Sequence, residues 1–235
     1  TVTLHDANLA AFQHFLAAEQ IDRRRRELAP RLTHLRAQSR RTNYDEVERA
    51  AIELLLADTN LTGAAVAQAV ADLRDKHKFH DPDAYQHAYE LLLTALNLTA
   101  VRHAPAVLTF QDFRMRESRY IIDELLAATL DRRNPFLDFF QRVTVPAVMA
   151  AEPVLVGISV SNAPQMLPAF TLGRLLRAAG RRVVMGGAHL TRLADNIDAR
   201  WFAAADGFVA FDGEPAIVEL ARRTAAGVDW TGIPN

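Results

Sequence analysis

The chain has 235 residues, of which 50% are hydrophobic and 23% are charged, and its formal net charge is -1. This length supports one hydrophobic core with a smaller helical subdomain, and the charge predicts no general attraction for nucleic acid or anionic membranes. The absence of cysteine excludes disulfides, thiolate zinc sites and cysteine-ligated iron–sulfur clusters from this chain. No apolar run approaches the roughly 20 residues of a membrane-spanning helix, and residues 1–16 lack a signal-peptide pattern, so we expect a cytoplasmic protein.

The first eight residues, TVTLHDAN, predict a short strand that runs into a polar turn. Its apolar residues alternate weakly, and Asp6 and Asn8 belong to residue types that favour turns. A strand so near the start suggests that an earlier strand of the same sheet precedes it in a longer protein. We therefore expect an incomplete sheet in this chain.

Residues 9–151 have the periodicity of helices and contain no convincing strand. One predicted helix begins near Asn43 and carries an apolar face made of Val47, Ala50, Ala51, Leu54 and Leu55. Another begins at Asp81, which is followed by proline. The run Arg23–Arg26 lies in a helical pattern rich in charged residues and is predicted to be a solvated helix face. We interpret the whole block as a helical insertion or lid.

After Pro153 the pattern changes to apolar strands near residues 154–159, 182–185 and 207–210, separated by amphipathic helices. This alternation predicts an α/β fold with a doubly wound parallel sheet covered on both faces, carrying the large all-helical insertion. The predicted domains are a sheet strand at 1–8, the insertion at 9–151, the α/β domain at 152–228 and a linker at 229–235.

Polar and glycine-rich segments follow the three strands: SVSNAPQ (159–165), GGAHLT (186–191) and FDGEP (211–215). Because the ligand crevice of an open parallel sheet lies beyond the carboxyl ends of its strands, these segments predict one binding rim. Glycine exposes backbone to a ligand, so the rim suits a large, flat, amide-bearing molecule, although paired glycines also make tight turns. Neither the G-x-G-x-x-G spacing of dinucleotide sites nor a phosphate-binding loop is present.

Metal-binding and acid–base motifs are weak in this sequence. The segment DKHKFHDPD (75–83) clusters histidine and aspartate, but it falls between two predicted helices, where polar caps are expected. Asp212 and Glu214 could form a carboxylate pair, although such residues after a strand more often cap the next helix or bind ligand amides and hydroxyls. We predict no protein metal ligand and no catalytic residue in this chain.

Residues 153–223 resemble the cobalamin-binding domain that precedes the catalytic barrel of B12-dependent radical SAM enzymes. The resemblance rests on VGIS (156–159), VVMGGAHLT (183–191) and DGFVAFDGEPAIVEL (206–220). TVTLHDAN is similar to the second strand of that domain, and WTGIPN (230–235) to the linker before the barrel. The helical block is similar to insertions in the branch that includes modifiers of ribosomal peptides and related methyltransferases.

The resemblance implies a Rossmann-like cobalamin-binding domain of a methyltransferase, which holds methylcobalamin for a separate radical SAM domain of the same polypeptide. S-adenosylmethionine and a 4Fe–4S cluster are expected only in that domain, because the Cys-x-x-x-Cys-x-x-Cys motif is absent here. The residues predicted to contact cobalamin lie on three loops: Ser159, Val160, Ser161, Asn162 and Gln165; Gly186, Gly187, Ala188, His189 and Thr191; Phe211, Asp212, Gly213 and Glu214.

His189 is predicted to be a rim residue that does not coordinate cobalt. The histidine-ligating B12 family uses Asp-x-His-x-x-Gly, and no aspartate lies two residues before His189. Two other functions remain open from the sequence. One is a non-catalytic interaction module that binds a partner through Tyr85, Tyr89 and the cluster of Phe136, Phe139 and Phe140; the other is a nucleotide-binding domain of doubly wound type.

Overall fold

The computed structural model describes residues 2–233 of the chain; Thr1 and the last two residues of the predicted linker lie outside the described part. The protein is mixed α/β, is mostly helical and contains a small parallel sheet of three strands. Its internal contacts divide it into two units, Thr1–Arg116 and Glu117–Asn235, which we call the helical unit and the α/β unit. The division falls inside the predicted helical block.

The helical unit contains helices α1 to α6 followed by a two-stranded hairpin. The helices are α1 Ala7–Phe15, α2 Ala18–Ala37, α3 Asn43–Ala57, α4 Gly63–Arg74, α5 Lys76–Phe79 and α6 Pro82–Val101, and the antiparallel strands are β1 Val107–Leu108 and β2 Phe113–Arg114. Asp81 caps α6 as predicted, because its carboxylate accepts hydrogen bonds from the backbone N–H groups of Asp83 and Ala84. The hairpin was not predicted from the sequence.

The core of the helical unit corrects two sequence predictions. Arg24 is only 6% exposed, whereas the sequence predicted a solvated arginine run, because α2 is buried on the face that carries this residue. On α3, Val47 and Leu54 are exposed by 68% and 75%, and the buried positions of that helix are Ile52 and Leu55. The predicted face is therefore right at Leu55 and wrong at Val47 and Leu54, because the buried side of α3 is centred on Ile52 and Leu55.

Residues 2–6 form no strand, in contrast to the sequence prediction. Val2 and Leu4 are 87% and 93% exposed, and no strand of residues 2–233 pairs with this segment. An extended segment without a partner has no ladder to stabilise it. Asp6 instead caps α1 by accepting the backbone N–H of Leu9.

The α/β unit begins with three helical segments and continues as alternating strands and helices. Its elements are α7 Ile122–Thr129, α8 Pro135–Phe139, a π-helical turn Phe140–Thr144, α9 Val145–Ala150, β3 Leu155–Ser159, α10 Met166–Ala178, β4 Arg182–Gly186, α11 Ala188–Thr191, β5 Gly207–Phe208 and α12 Glu214–Ala225. Short 3-10 turns lie at Ala163–Gln165, Ala194–Asn196 and Ala199–Ala203.

The three strands are parallel in the order β3-β4-β5, and the register pairs Ser159 with Gly186 and Met185 with Phe208. The predictions of these strands and of α10 and α12 are therefore confirmed to within a few residues. Val183, Met185 and the α10 residue Phe170 are fully buried. The register places the carboxyl ends of β3 and β4 side by side. Within residues 2–233, no helix is both long and apolar enough to cross a membrane.

Candidate functional site

A cleft of about 370 Å³ opens at the carboxyl ends of β3, β4 and β5. Several of the predicted site residues line it, and they come from all three predicted loops. These residues are Ser159, Gly186, Gly187, Phe211, Gly213 and Glu214. The parallel register produces this convergence, because it brings the ends of neighbouring strands to one edge of the sheet.

Six further residues line the cleft and were not predicted as site residues; they come from β3, β4, the segment after β5 and α12. They are Gly157, Ile158, Val184, Met185, Val209 and the α12 residue Ile217. A Cβ atom built on Gly157 would meet only the Ile217 Cδ1 atom, at 3.8 Å, so the absence of a side chain on Gly157 leaves open space above β3. A glycine in the middle of an apolar strand is the signal that could have identified this position.

Backbone hydrogen bonds join the first two loops. The N–H of Val160 donates to the Gly186 carbonyl at 2.8 Å, and the N–H of His189 donates to the Val160 carbonyl at 3.0 Å. The third loop is fastened by the N–H of Phe211, which donates to the Thr191 hydroxyl oxygen at 3.0 Å. The three segments therefore form one connected rim.

Gly187 is required by the protein's own backbone. Its φ is +106°, a region that residues with a side chain rarely adopt, and a Cβ atom would lie 2.7 Å from the Val160 carbonyl oxygen and 2.8 Å from the Val160 nitrogen. The sequence predicts that this glycine makes room for a ligand. The geometry gives a second reason, which is the close approach of the β3 and β4 loops.

Two further glycines of the rim pack against Val209. A Cβ atom on Gly186 would lie 2.9 Å from the Val209 carbonyl oxygen, and one on Gly213 would lie 2.7 Å from the Val209 Cγ1 atom. Both distances are shorter than real Cβ contacts. The glycines thus allow the segment after β5 to lie directly over the end of β4.

The remaining predicted residues do not line the cleft. Val160 is fully buried, and its backbone groups are used inside the rim. The side chain of Gln165 accepts hydrogen bonds from the N–H groups of Ser161 and Asn162 at 2.7 and 3.3 Å, so it stabilises its own loop. Ser161, Asn162, Ala188 and Asp212 are exposed around the opening, and Thr191 holds the third loop.

Phe211 has an unusual backbone and an exposed ring. Its φ is +53°, which is uncommon for a residue with a bulky side chain, and the residue is 76% exposed. The hydrogen bond from its N–H to Thr191 helps to maintain this conformation. An aromatic ring is thereby held in solvent at the edge of the cleft.

His189 lies on α11 and does not line the cleft. Its Nε2 atom is buried and has no hydrogen-bond partner among the described residues. Burial, together with the positive charges of Arg192 and Arg119, lowers the pKa of this imidazole below 6.5. At neutral pH His189 is therefore uncharged.

Within residues 2–233, no group of three or more histidine, aspartate or glutamate side chains is arranged to hold a metal ion. In the DKHKFHDPD segment, Asp75 accepts the backbone N–H groups of His77 and Lys78, and Asp81 caps α6. Two of the three aspartates of that segment thus begin helices. The cleft itself combines an apolar floor with the Ser159 hydroxyl and the Glu214 carboxylate at its edge, an arrangement suited to binding a flat ring with a polar periphery.

No protein-family model, no curated protein and no solved structure matches this chain.

Proposed function

We propose that the α/β unit is a Rossmann-like cobalamin-binding domain and that cobalamin occupies the cleft at the carboxyl ends of β3, β4 and β5. The observation that carries this proposal is the glycine-containing cleft itself, in which Gly157 and Gly186 expose backbone on two adjacent parallel strands. Parallel sheets bind ligands at this edge, and the resemblance of residues 153–223 supplies the identity of the ligand.

The size and chemistry of the cleft fit one part of cobalamin. A cleft of about 370 Å³ is too small for the corrin ring, but it accommodates a flat aromatic base such as that of the nucleotide tail. Ile217 would contact one face of the base, above the open position of Gly157. The corrin amides would then meet the exposed polar groups of Ser161 and Asn162 around the opening.

The first turn of α12 would approach the phosphate of the nucleotide tail. This helix begins at Glu214 beside the cleft, and its N-cap residue, Gly213, has no side chain that could cap the first N–H groups. Helix N-termini favour negative charge, which suits a phosphodiester. Glu214 is the opposing element, because its carboxylate at this position would repel a phosphate.

In the proposed enzyme, cobalamin carries a methyl group, and a radical SAM domain of the same polypeptide supplies the S-adenosylmethionine and 4Fe–4S chemistry. The residues of this chain bind and orient the cofactor and make no covalent bond to the substrate. We further propose that the protein is a cytoplasmic methyltransferase. These wider statements rest on the sequence resemblance.

Titration of the purified chain with hydroxocobalamin, followed by the corrin absorption, tests the proposal. We expect saturable binding to the wild-type chain and to Gly157→Ala, whose methyl group would make only an ordinary contact with Ile217. Gly157→Leu should weaken binding by roughly tenfold or more, because its side chain would fill the floor of the cleft. Tryptophan fluorescence would verify that both variants are folded.

Two results would overturn the proposal. One is the absence of any change in corrin absorption with a folded wild-type chain. The other is equal cobalamin affinity in Gly157→Leu and Gly157→Ala, which would move the site away from the cleft. Saturable binding of NAD or ATP that Gly157→Leu abolishes, without cobalamin binding, would favour the nucleotide-binding alternative.

A further inference from the structure

A second cleft, of about 530 Å³, lies at the opposite end of the sheet from the proposed cobalamin site. Arg182 is the first residue of β4, and Asp206 directly precedes β5, so the cleft is at the amino ends of these strands. Arg174, Arg177 and Arg181 line it as well. Four arginines and a single aspartate thus line one cleft.

Arg174 and Arg181 each donate hydrogen bonds from one side of the guanidinium group to groups of the protein, including backbone carbonyls. Arg174 donates through Nη1 to the Leu126 carbonyl at 2.8 Å and to the Thr129 hydroxyl at 2.6 Å. Arg181 donates through Nη1 to the Pro153 carbonyl at 3.3 Å. Because the side chains of Arg174 and Arg181 are already fixed in place, less rotational freedom would be lost when they bind a ligand.

The carboxylate of Asp206 is already engaged within the protein. It accepts the Nε–H of Arg177 at 3.2 Å and the backbone N–H of Val183 at 2.8 Å. Arg177 also donates through Nη1 to the Phe202 carbonyl at 2.7 Å. One carboxylate therefore offsets only part of the positive charge of the cleft.

Hydrogen-bond donors remain on every one of the four arginines. The Nη2 groups of Arg174, Arg177 and Arg181 make no hydrogen bond within residues 2–233, and Arg182 makes none through its guanidinium group. The hydrogen bonds that these guanidinium groups do make are explained by the capping of helix ends. Capping does not explain why four arginines with free donors line the same cleft.

We propose that this cleft binds a small oligophosphate anion. Guanidinium groups donate pairs of hydrogen bonds that match the oxygens of a phosphate group, and several of them in one cleft match a chain of two or three phosphates. A monovalent anion would satisfy too few of these donors. The proposal is independent of cobalamin binding, because the two clefts share no lining residue.

Trp230 provides a spectroscopic probe of this cleft. The guanidinium carbon of Arg182 lies 5.3 Å from the centroid of the Trp230 ring, so a ligand that binds Arg182 should change the fluorescence of this tryptophan. The other tryptophan, Trp201, is buried against Phe170 and serves as the internal reference in Trp230→Phe.

The test is a titration with inorganic tripolyphosphate at constant ionic strength, followed by fluorescence and by calorimetry. We expect saturable binding that is weakened by about tenfold or more in Arg182→Gln and in Arg181→Gln, since a hydrogen bond between charged groups is lost. Arg182→Gln removes no hydrogen bond of the folded chain. Arg142→Gln, which removes the same charge from an exposed side chain outside the cleft, should bind like the wild type.

Competing anions identify the source of the phosphate. Tighter binding of ATP than of tripolyphosphate would assign the cleft to a nucleotide, and equal or weaker binding would assign it to the phosphate chain alone; both support the proposal. It is overturned if sulfate at equal ionic strength gives the same signal, if Arg142→Gln weakens binding as much as Arg182→Gln, or if only a single-stranded RNA oligomer binds.

Discussion

In the helical unit, arginine side chains reach across to the backbone of neighbouring elements, whereas in the α/β unit the loops after β3 and β4 bond to each other through their main chains. Arg25 of α2 donates to the carbonyls of Leu55 and Asp58 at the end of α3, at 3.0 and 2.8 Å. At the strand ends, Val160 and His189 are joined by backbone groups alone.

This difference indicates where each unit tolerates substitution. Contacts made by side chains can be replaced one at a time, each with a limited loss of stability. Contacts between main chains depend on residues without a Cβ atom, so a single added side chain disturbs several of them together. The proposed cobalamin site contains main-chain contacts of this type.

The largest effect is expected for Gly187→Val. A β-branched residue at φ +106°, with its Cβ atom 2.7 Å from the Val160 carbonyl oxygen, would destabilise the α/β unit by about 3 kcal/mol or more. Urea unfolding followed by tryptophan fluorescence measures this loss, because both tryptophans, Trp201 and Trp230, belong to that unit. Wild-type stability in Gly187→Val would contradict the close approach of the two loops.

A smaller loss is expected for Arg24→Met in the helical unit. Arg24 donates to the Phe15 carbonyl and to the Thr99 hydroxyl, both at 2.7 Å, and its guanidinium group lies over the Phe15 ring. Methionine keeps much of the packing but leaves the Phe15 carbonyl without this donor, at a cost of about 2 kcal/mol. Urea unfolding followed by far-UV circular dichroism tests this. An unchanged midpoint would show that the buried arginine adds nothing to stability.

Thr191→Val should cost about 1 kcal/mol, because it removes the hydroxyl that accepts the N–H of Phe211 while keeping the side-chain shape. We also expect weaker cobalamin binding, since Phe211 would no longer be held at φ +53°. Thr191→Ser, which keeps the hydroxyl, is the matched control. If Val and Ser at this position bind cobalamin equally, the third loop does not depend on this hydrogen bond.

The smallest effect concerns pH. The pKa of His189 is lowered in the folded protein by burial and by Arg192 and Arg119, so the unfolded chain binds a proton more readily. Stability should therefore fall as the pH decreases from 6.5 toward the lower folded pKa. His189→Gln should reduce this pH dependence, and NMR titration of the imidazole should give a pKa below 6.5. A folded pKa above 6.5 would reverse the sign of the effect.

The α/β part of the fold could be predicted because its signals are local. Apolar runs of strand length at 154–159 and 182–185 allow few alternatives, and the glycine after each helix limits its end. The strand predicted at residues 2–5 was wrong for the opposite reason. Its alternation is weak, and whether such a segment forms a strand depends on a neighbour that the sequence does not specify.

The candidate site could be predicted at the level of loops but not of contacts. Strand ends identify the edge of the sheet, and residues from all three segments line the cleft. The role predicted for Gly187 was incomplete, because Val160, the residue that it approaches, lies at the end of another strand. Gly157 was missed because a glycine in an apolar strand only signals an open position or a close approach, and the tertiary structure is needed to show that Ile217 lies across it. The arginine cleft could not be predicted from the sequence either, because the residues that line it come together only in the tertiary structure.

The most direct test of the proposed cobalamin site is hydrogen–deuterium exchange of the wild-type chain with and without saturating hydroxocobalamin. Three segments should become protected together, namely 159–165, 186–191 and 211–215, while residues 174–182 at the other end of the sheet should exchange as before. Binding detected by corrin absorption without protection of these three segments, or with protection only elsewhere in the chain, would contradict the account.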